Sequence, residues 1–181
     1  TFLSTPAQQG VEFLASKNEW FRPVNLAHGP DGGLYVVDMC RAVIEHPQFM
    51  PSELKERPDL LLGTDRGRIY RVTARADNVT RRPPRLDSAA SSSLVSLLEH
   101  PNAWHRETAA RLLFERQDKS VVEKLTQLVV DGRQAQARVH ALWALEGLKS
   151  LDNAVLHMAL DDSDPRVCEQ AIVIAENHFD A

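Results

Sequence analysis

The feature that most constrains this chain is a helical pattern repeating about every 30 residues across its back half. From Ser91 onward Leu, Ala and Val recur at helical spacing, in paired runs separated by tight corners. The second run of each pair carries one signature: Arg106-x-x-Ala109, Arg138-x-x-Ala141 and Cys168-x-x-Ala171. Its alanines lie 32 and then 30 residues apart. A single helix pair of this size cannot bury its apolar face alone. Stacking successive pairs buries it, and a small Ala at the recurring position lets two helices approach closely. The sequence therefore predicts an α-α solenoid of about three helical hairpins.

The corner residues set the expected bounds. Unit one runs from Ser92 to Glu99, turns at His100-Pro-Asn102 and returns over Ala103 to Arg116. Unit two runs from Lys119 to Val130, turns at Asp131-Gly-Arg133 and returns over Gln134 to Leu148. Unit three runs from Asn153 to Leu160, turns over 161–165 and returns over Arg166 to Asn177. Ser120 with Glu123 predicts a capping box, Asp164 caps ahead of Pro165, and Gly132 is expected to close a helix. Leu112, Leu113, Leu142, Leu145, Ile172 and Ala175 are expected to continue the buried stripe. The Asp-Pro corner followed by Val and Arg-x-x-Ala resembles HEAT repeats. Unit three departs with Cys168 in the Arg place, and unit one carries His105 where an aliphatic residue is usual. The resemblance implies a surface for another protein, in an array expected to continue past Ala181.

Ahead of residue 75 the composition changes. Most of the glycines lie there, among β-type runs. Val11 to Ala15, Val24 to Ala27, Leu34 to Asp38 and Arg66 to Thr73 are predicted strands. His28-Gly-Pro-Asp-Gly-Gly33 predicts a turn, in which Pro presets one dihedral and Asp31 supplies turn chemistry. Pro47, Pro51 and Pro58 break up the excursion over 41–62, where Pro51 to Arg57 is expected to form a short helical turn. Three or four antiparallel strands cannot bury two faces, so the front reads as a piece of a larger β-structure. The expected fold is α+β. A β segment spans 1–75, a linker with extended Pro83-Pro84 spans 76–90, and helical repeats span 91–181.

The stretch from Trp20-Phe-Arg-Pro-Val24 to Leu34-Tyr-Val-Val-Asp38, followed by Arg66-Gly-Arg-Ile-Tyr-Arg-Val72, resembles a known family. It is similar to the last blade of the glucose/sorbosone dehydrogenase β-propellers, which are soluble quinoproteins. It resembles still more closely the large planctomycete-type proteins described as membrane-bound dehydrogenases. In those a propeller precedes HEAT repeats and often a cytochrome c-like domain. The resemblance covers roughly residues 10–179. It implies a partial propeller blade and a parent that oxidises sugars or alcohols. It also implies pyrroloquinoline quinone and calcium as the parent's cofactors, an exported or periplasmic location, and a cytochrome domain or other protein docked on the helices. This segment alone is expected to be inactive.

The candidate site residues follow. The resemblance places Arg22 against the anionic quinone, and a guanidinium fork pairs two carboxylate oxygens at once. Two residues earlier, where that family carries a second Arg, stands Trp20, an aromatic suited to stacking on a flat ligand. Asp38 ends a predicted inner strand and is a candidate cofactor-binding residue, with a turn cap as the plain alternative. His46, on the excursion, is the candidate catalytic base. Arg66 and Arg68 share a strand face that reads as a solvated one, with contact to an anion as the alternative. Arg106 and Arg138 are expected to bind helix carbonyls or acidic side chains of the next repeat, and Trp104 and Trp143 to pack. Asn78-Val-Thr80 matches a glycosylation acceptor.

A net charge of -4 gives no pull toward nucleic acid. No apolar run approaches the ~20 residues that span a bilayer, and residues 1–10 carry no export signal pattern. Cys40 and Cys168 lie in different halves without zinc-knuckle or haem-attachment spacing, so no metal site is expected.

Overall fold

Short β-branched and aromatic runs give the front of the chain a sheet, and the periodic Leu and Ala runs give the back a stack of helices. The computed structural model describes residues 5–74 and 84–179. It divides the chain into two units: residues 1–27 with 33–76, and residues 28–32 with 77–181. Residues 75–83, which hold the Asn78-Val-Thr80 triplet and much of the expected linker, lie outside the described residues.

In the first unit, strands β1 (Pro23–His28), β2 (Leu34–Asp38) and β3 (Arg68–Val72) form one sheet in the order β1-β2-β3. Strands β2 and β3 are antiparallel, with Leu34 opposite Val72, Val36 opposite Tyr70 and Asp38 opposite Arg68. Alternation puts these pairs on one face and the pair Val37–Ile69 on the other. The first face carries the small core: Val36, Asp38, Cys40 and Met50 are buried, and the Phe21 ring meets Tyr70 edge-on at 5.9 Å. Helix α1 (Ser52–Lys55) is the expected short turn within the excursion.

Val11 to Ala15 is not a strand. Val11, Phe13 and Leu14 are exposed and pair with nothing in the sheet. Polar side chains capture the backbone just downstream instead. The N–H of Asn18 donates to Ser16 Oγ at 3.1 Å and that of Trp20 to Asn18 Oδ1 at 3.1 Å. A fully formed propeller blade is not what these three strands show.

The second unit is built from three helical hairpins: α2 (Ser91–Leu97) with α3 (Ala103–Arg116), α4 (Val122–Asp131) with α5 (Ala135–Gly147), and α6 (Asn153–Leu160) with α7 (Pro165–Phe179). First helices pack on first helices and second on second, as stacking requires. Ala109, Ala141 and Ala171 are fully buried, among Leu94, Leu98, Leu113, Leu125, Leu142 and Leu145. Ile172 is not in this core: it is 53% exposed, and Ile174 and Val167 take the place expected of it. Residues three ahead of and four behind Ala171 share its face, whereas the adjacent residue turns about 100° away.

Side chains cap the helices where the corners predict, with one change. Asn102, Asp152 and Asp164 accept from the N–H groups of Trp104, Val155 and Arg166. Ser120 forms no capping box: Asp118 accepts the Ser120 N–H at 3.0 Å, and a 3-10 turn over Lys119–Val121 leads into α4. Asp118 lies two residues earlier and starts the helical run sooner. Gly132 closes α4 with its N–H on the Leu128 carbonyl at 3.0 Å. Upstream, Leu86 and Ala89 pack on the helical core, and Arg116 donates to the carbonyls of Leu86, Asp87 and Ala89. The turn over 28–32 also belongs to this unit. Gly32 N–H closes it on the Gly29 carbonyl at 3.1 Å, and Asn102 Nδ2 donates to that carbonyl at 2.9 Å.

Candidate functional site

Asp38 is an internal brace of the first unit. It is 1% exposed. One carboxylate oxygen accepts from the backbone N–H of Arg22 at 2.8 Å and of Cys40 at 2.9 Å. The other makes no hydrogen bond and lies 3.6 Å from Arg68 Nε. A buried carboxylate persists only where donors and an opposite charge meet it, and two N–H groups and a guanidinium do so here. Arg68 also reaches the buried Cys40 thiol, with Nη2 2.7 Å from Sγ. Behind Cys40 the excursion closes on itself: a Cβ on Gly63 would lie 2.1 Å from the Cys40 carbonyl oxygen. Arg68 thus meets an anion within the chain, Asp38, while Arg66 lies over the Trp20 ring at 5.7 Å.

Arg22 meets Asp38 only through its backbone N–H, and the side chains of the remaining predicted residues do not assemble around that carboxylate. The Arg22 guanidinium donates to the carbonyls of Glu19 at 2.5 Å, Phe21 at 3.0 Å and Ala42 at 3.4 Å. His46 is exposed, with Nδ1 accepting the Gln48 N–H at 3.2 Å and its ring tilted against Phe49. Arg22, Trp20 and Asp38 as placed do not fit a quinone with several carboxylates, because the guanidinium serves backbone carbonyls and the carboxylate is buried. Among the described residues no three His, Cys, Asp or Glu side chains gather as metal ligands. Sequence reasoning missed Arg41. It borders a cleft of about 530 Å³ with Val24, Asp38, Thr64 and Arg68, and a neighbouring cleft that contains His46. Nothing in its local spacing marked it, because Val24, Thr64 and Arg68 come from distant parts of the chain.

In the helical unit one position repeats its chemistry. Arg106 donates to the His100 carbonyl at 2.7 Å and Arg138 to the Gly132 carbonyl at 2.7 Å. Cys168 Sγ reaches the Asp162 carbonyl at 3.0 Å. Each side chain ties a second helix to the corner six residues before it, so Cys168 keeps the function of the Arg it replaces. Arg138 adds a bidentate pair with Asp162 of the next repeat, both contacts at 2.7 Å, with side chains only 12% and 11% exposed. That hydrogen-bonded guanidinium holds the Asp162 carboxyl below its usual range. Arg166 does the same to Asp164, which falls to about 2.

The second helices also present an apolar row. Trp143 was expected to pack, yet it is 37% exposed, and its indole N–H donates to Gln170 Oε1 on α7 at 3.0 Å. Four residues on, Gly147 lies on the same side of α5. A Cβ there would be 2.7 Å from the Phe114 ring of α3. Val173, three residues after Gln170, occupies in α7 the place of Trp143 in α5. Phe114 is 58% and Val173 42% exposed. Phe114, Trp143 and Val173 are thus partly exposed apolar side chains on three consecutive second helices, a candidate strip. The strip was hidden in the sequence because Trp143 obeys the same helical spacing as the core.

Stacked hairpins with a corner-binding side chain in each repeat define the second unit as an α-α solenoid. Residues 90–175 match the family of HEAT repeats, and residues 1–76 match a domain of unknown function (DUF7133). No curated protein and no solved structure matches the chain. The HEAT part of the expected resemblance is thus established, and neither match carries a propeller or dehydrogenase description. No helix among the described residues is long and apolar enough to cross a membrane.

Proposed function

We propose that the HEAT solenoid is a protein-docking module that receives its partner along the strip Phe114, Trp143 and Val173. The succession of that strip carries the reading: three partly exposed apolar side chains on successive second helices, with Phe114 against Gly147 of α5 and Trp143 bonded to Gln170 of α7. Aromatic anchors of this kind dominate binding energy at protein interfaces. The first unit, braced by Asp38, is its structural companion in the chain.

A photo-crosslinking residue placed at 143 or 173 of the protein, in cells of its source organism, is expected to trap one common protein. The same residue at the exposed Met158 of α6 is expected not to trap it. Binding of that purified protein should fall about 30-fold in Trp143→Ala, the weight of a hot-spot aromatic. Equal trapping from position 158, or none from 143 and 173, ends the reading.

One observation favours the second reading, a cofactor-binding β unit in a dehydrogenase: the cleft beside Arg41. Arg41, with no hydrogen bond or ion pair among the described residues, is then the guanidinium open to an anionic ligand, in place of Arg22. Absorbance titration with pyrroloquinoline quinone tests it. Binding lost in Arg41→Ala supports the reading, and no binding to the intact chain rejects it.

A further inference from the structure

Exposed carboxylates flank the docking strip. On α3, Glu107 shares a helix face with Arg111 and Phe114, at spacings of four and seven residues. Arg111 is neutralised by Glu115, with Nη1 2.6 Å from Oε1. On α7, Glu169 and Glu176 flank Val173 at spacings of four and three. Arg166 on the same helix is neutralised by Asp164 at 2.7 Å. Glu107, Glu169 and Glu176 are exposed and make no ion pair among the described residues. Arg111 and Arg166 are thus paired off, Arg106 and Arg116 of α3 are turned to backbone carbonyls, and carboxylates without ion-pair partners remain on both sides of the apolar residues.

Resting on the docking reading above, we infer that the occupant of this strip is a basic amphipathic helix: apolar side chains for Phe114, Trp143 and Val173, Lys or Arg for Glu107, Glu169 and Glu176. Consecutive packed helices lie about 9 Å apart, so crossing three of them takes roughly 18 Å. An occupant helix covers that distance in about 12 residues at 1.5 Å each. Apolar residues at helical spacing form its contact stripe, and the flanking positions of the same turns reach the carboxylates. An acidic segment of the same apolar pattern meets like charge at each flank and is rejected.

Three labelled peptides of that length test the inference against the full chain by fluorescence anisotropy: one with Leu at helical spacing flanked by Lys, its twin with Glu for every Lys, and a scrambled Lys/Leu sequence. The Lys peptide should bind about 10-fold more tightly than the Glu twin at low salt, a preference that shrinks as salt screens it. Glu169→Gln with Glu176→Gln should abolish most of that preference, whereas Glu123→Gln on α4 should leave it unchanged. Trp143→Ala should weaken binding of the Lys peptide. Equal binding of the twins, equal binding of the scrambled sequence, a preference untouched by the α7 substitutions, or no binding at all overturns the inference. Crosslinking from positions 143 and 173 still decides the docking reading separately.

Discussion

Replacing Arg138 by Met tests the junction between the second and third repeats. Met keeps the apolar stem and removes the guanidinium. Lost with it are two charge-assisted bonds to Asp162 and one to the Gly132 carbonyl, all at 2.7 Å. Asp162, 11% exposed, is left without its counter-ion. Breaking one side of a buried pair costs about 3–5 kcal/mol. The Asp164 N–H still donates to Asp162 at 2.8 Å and some water reaches it, so the lower end applies, about 3 kcal/mol. The assay is urea unfolding followed by helical circular dichroism, where such a loss moves the midpoint by roughly 1–3 M. Asp162→Asn completes a double-mutant cycle, with an expected coupling of about 1–3 kcal/mol. The Asp162 carboxyl is depressed in the folded chain, so its contribution is present above the unfolded pKa of ~3.9 and lost as pH falls through the folded value. The gap between wild type and Arg138→Met must therefore narrow in acid. A loss under about 0.5 kcal/mol, or a gap that does not change with pH, refutes the reasoning.

Two further outcomes are expected. Gly63→Ala places a Cβ 2.1 Å from the Cys40 carbonyl oxygen at a φ of +90, so the excursion over 41–62 should lose its protection against limited proteolysis; unchanged protection counts against the brace described around Asp38 and Cys40. Asp164 should titrate near 2 by carboxyl NMR and move toward the ordinary ~3.9 in Arg166→Gln, with an unmoved value assigning the depression elsewhere.

The sequence by itself determined what depends on neighbours a few residues away. Helical spacing and corner residues set the hairpins, with α3 over Ala103–Arg116 and α6 over Asn153–Leu160 as expected. The recurring Ala set the buried contact, and β-branched runs set β2 over Leu34–Asp38. What only the tertiary structure decided is where polar and aromatic groups end. Asp38 looked like a ligand at a strand end until the register of β2 on β3 set Arg68 opposite it and buried it. Arg22 looked like an anion clamp until the chain at 19–21 and 42 offered it carbonyls. Trp143 and Ile172 read as core because periodicity marks a helix face without saying which faces a neighbour covers. The physical reason is range. Capping and periodicity act within one or two turns, whereas burial of a charge or exposure of a ring is set by segments brought together from 20 or more residues away, as Cys40 is with Gly63 and Trp143 with Gln170.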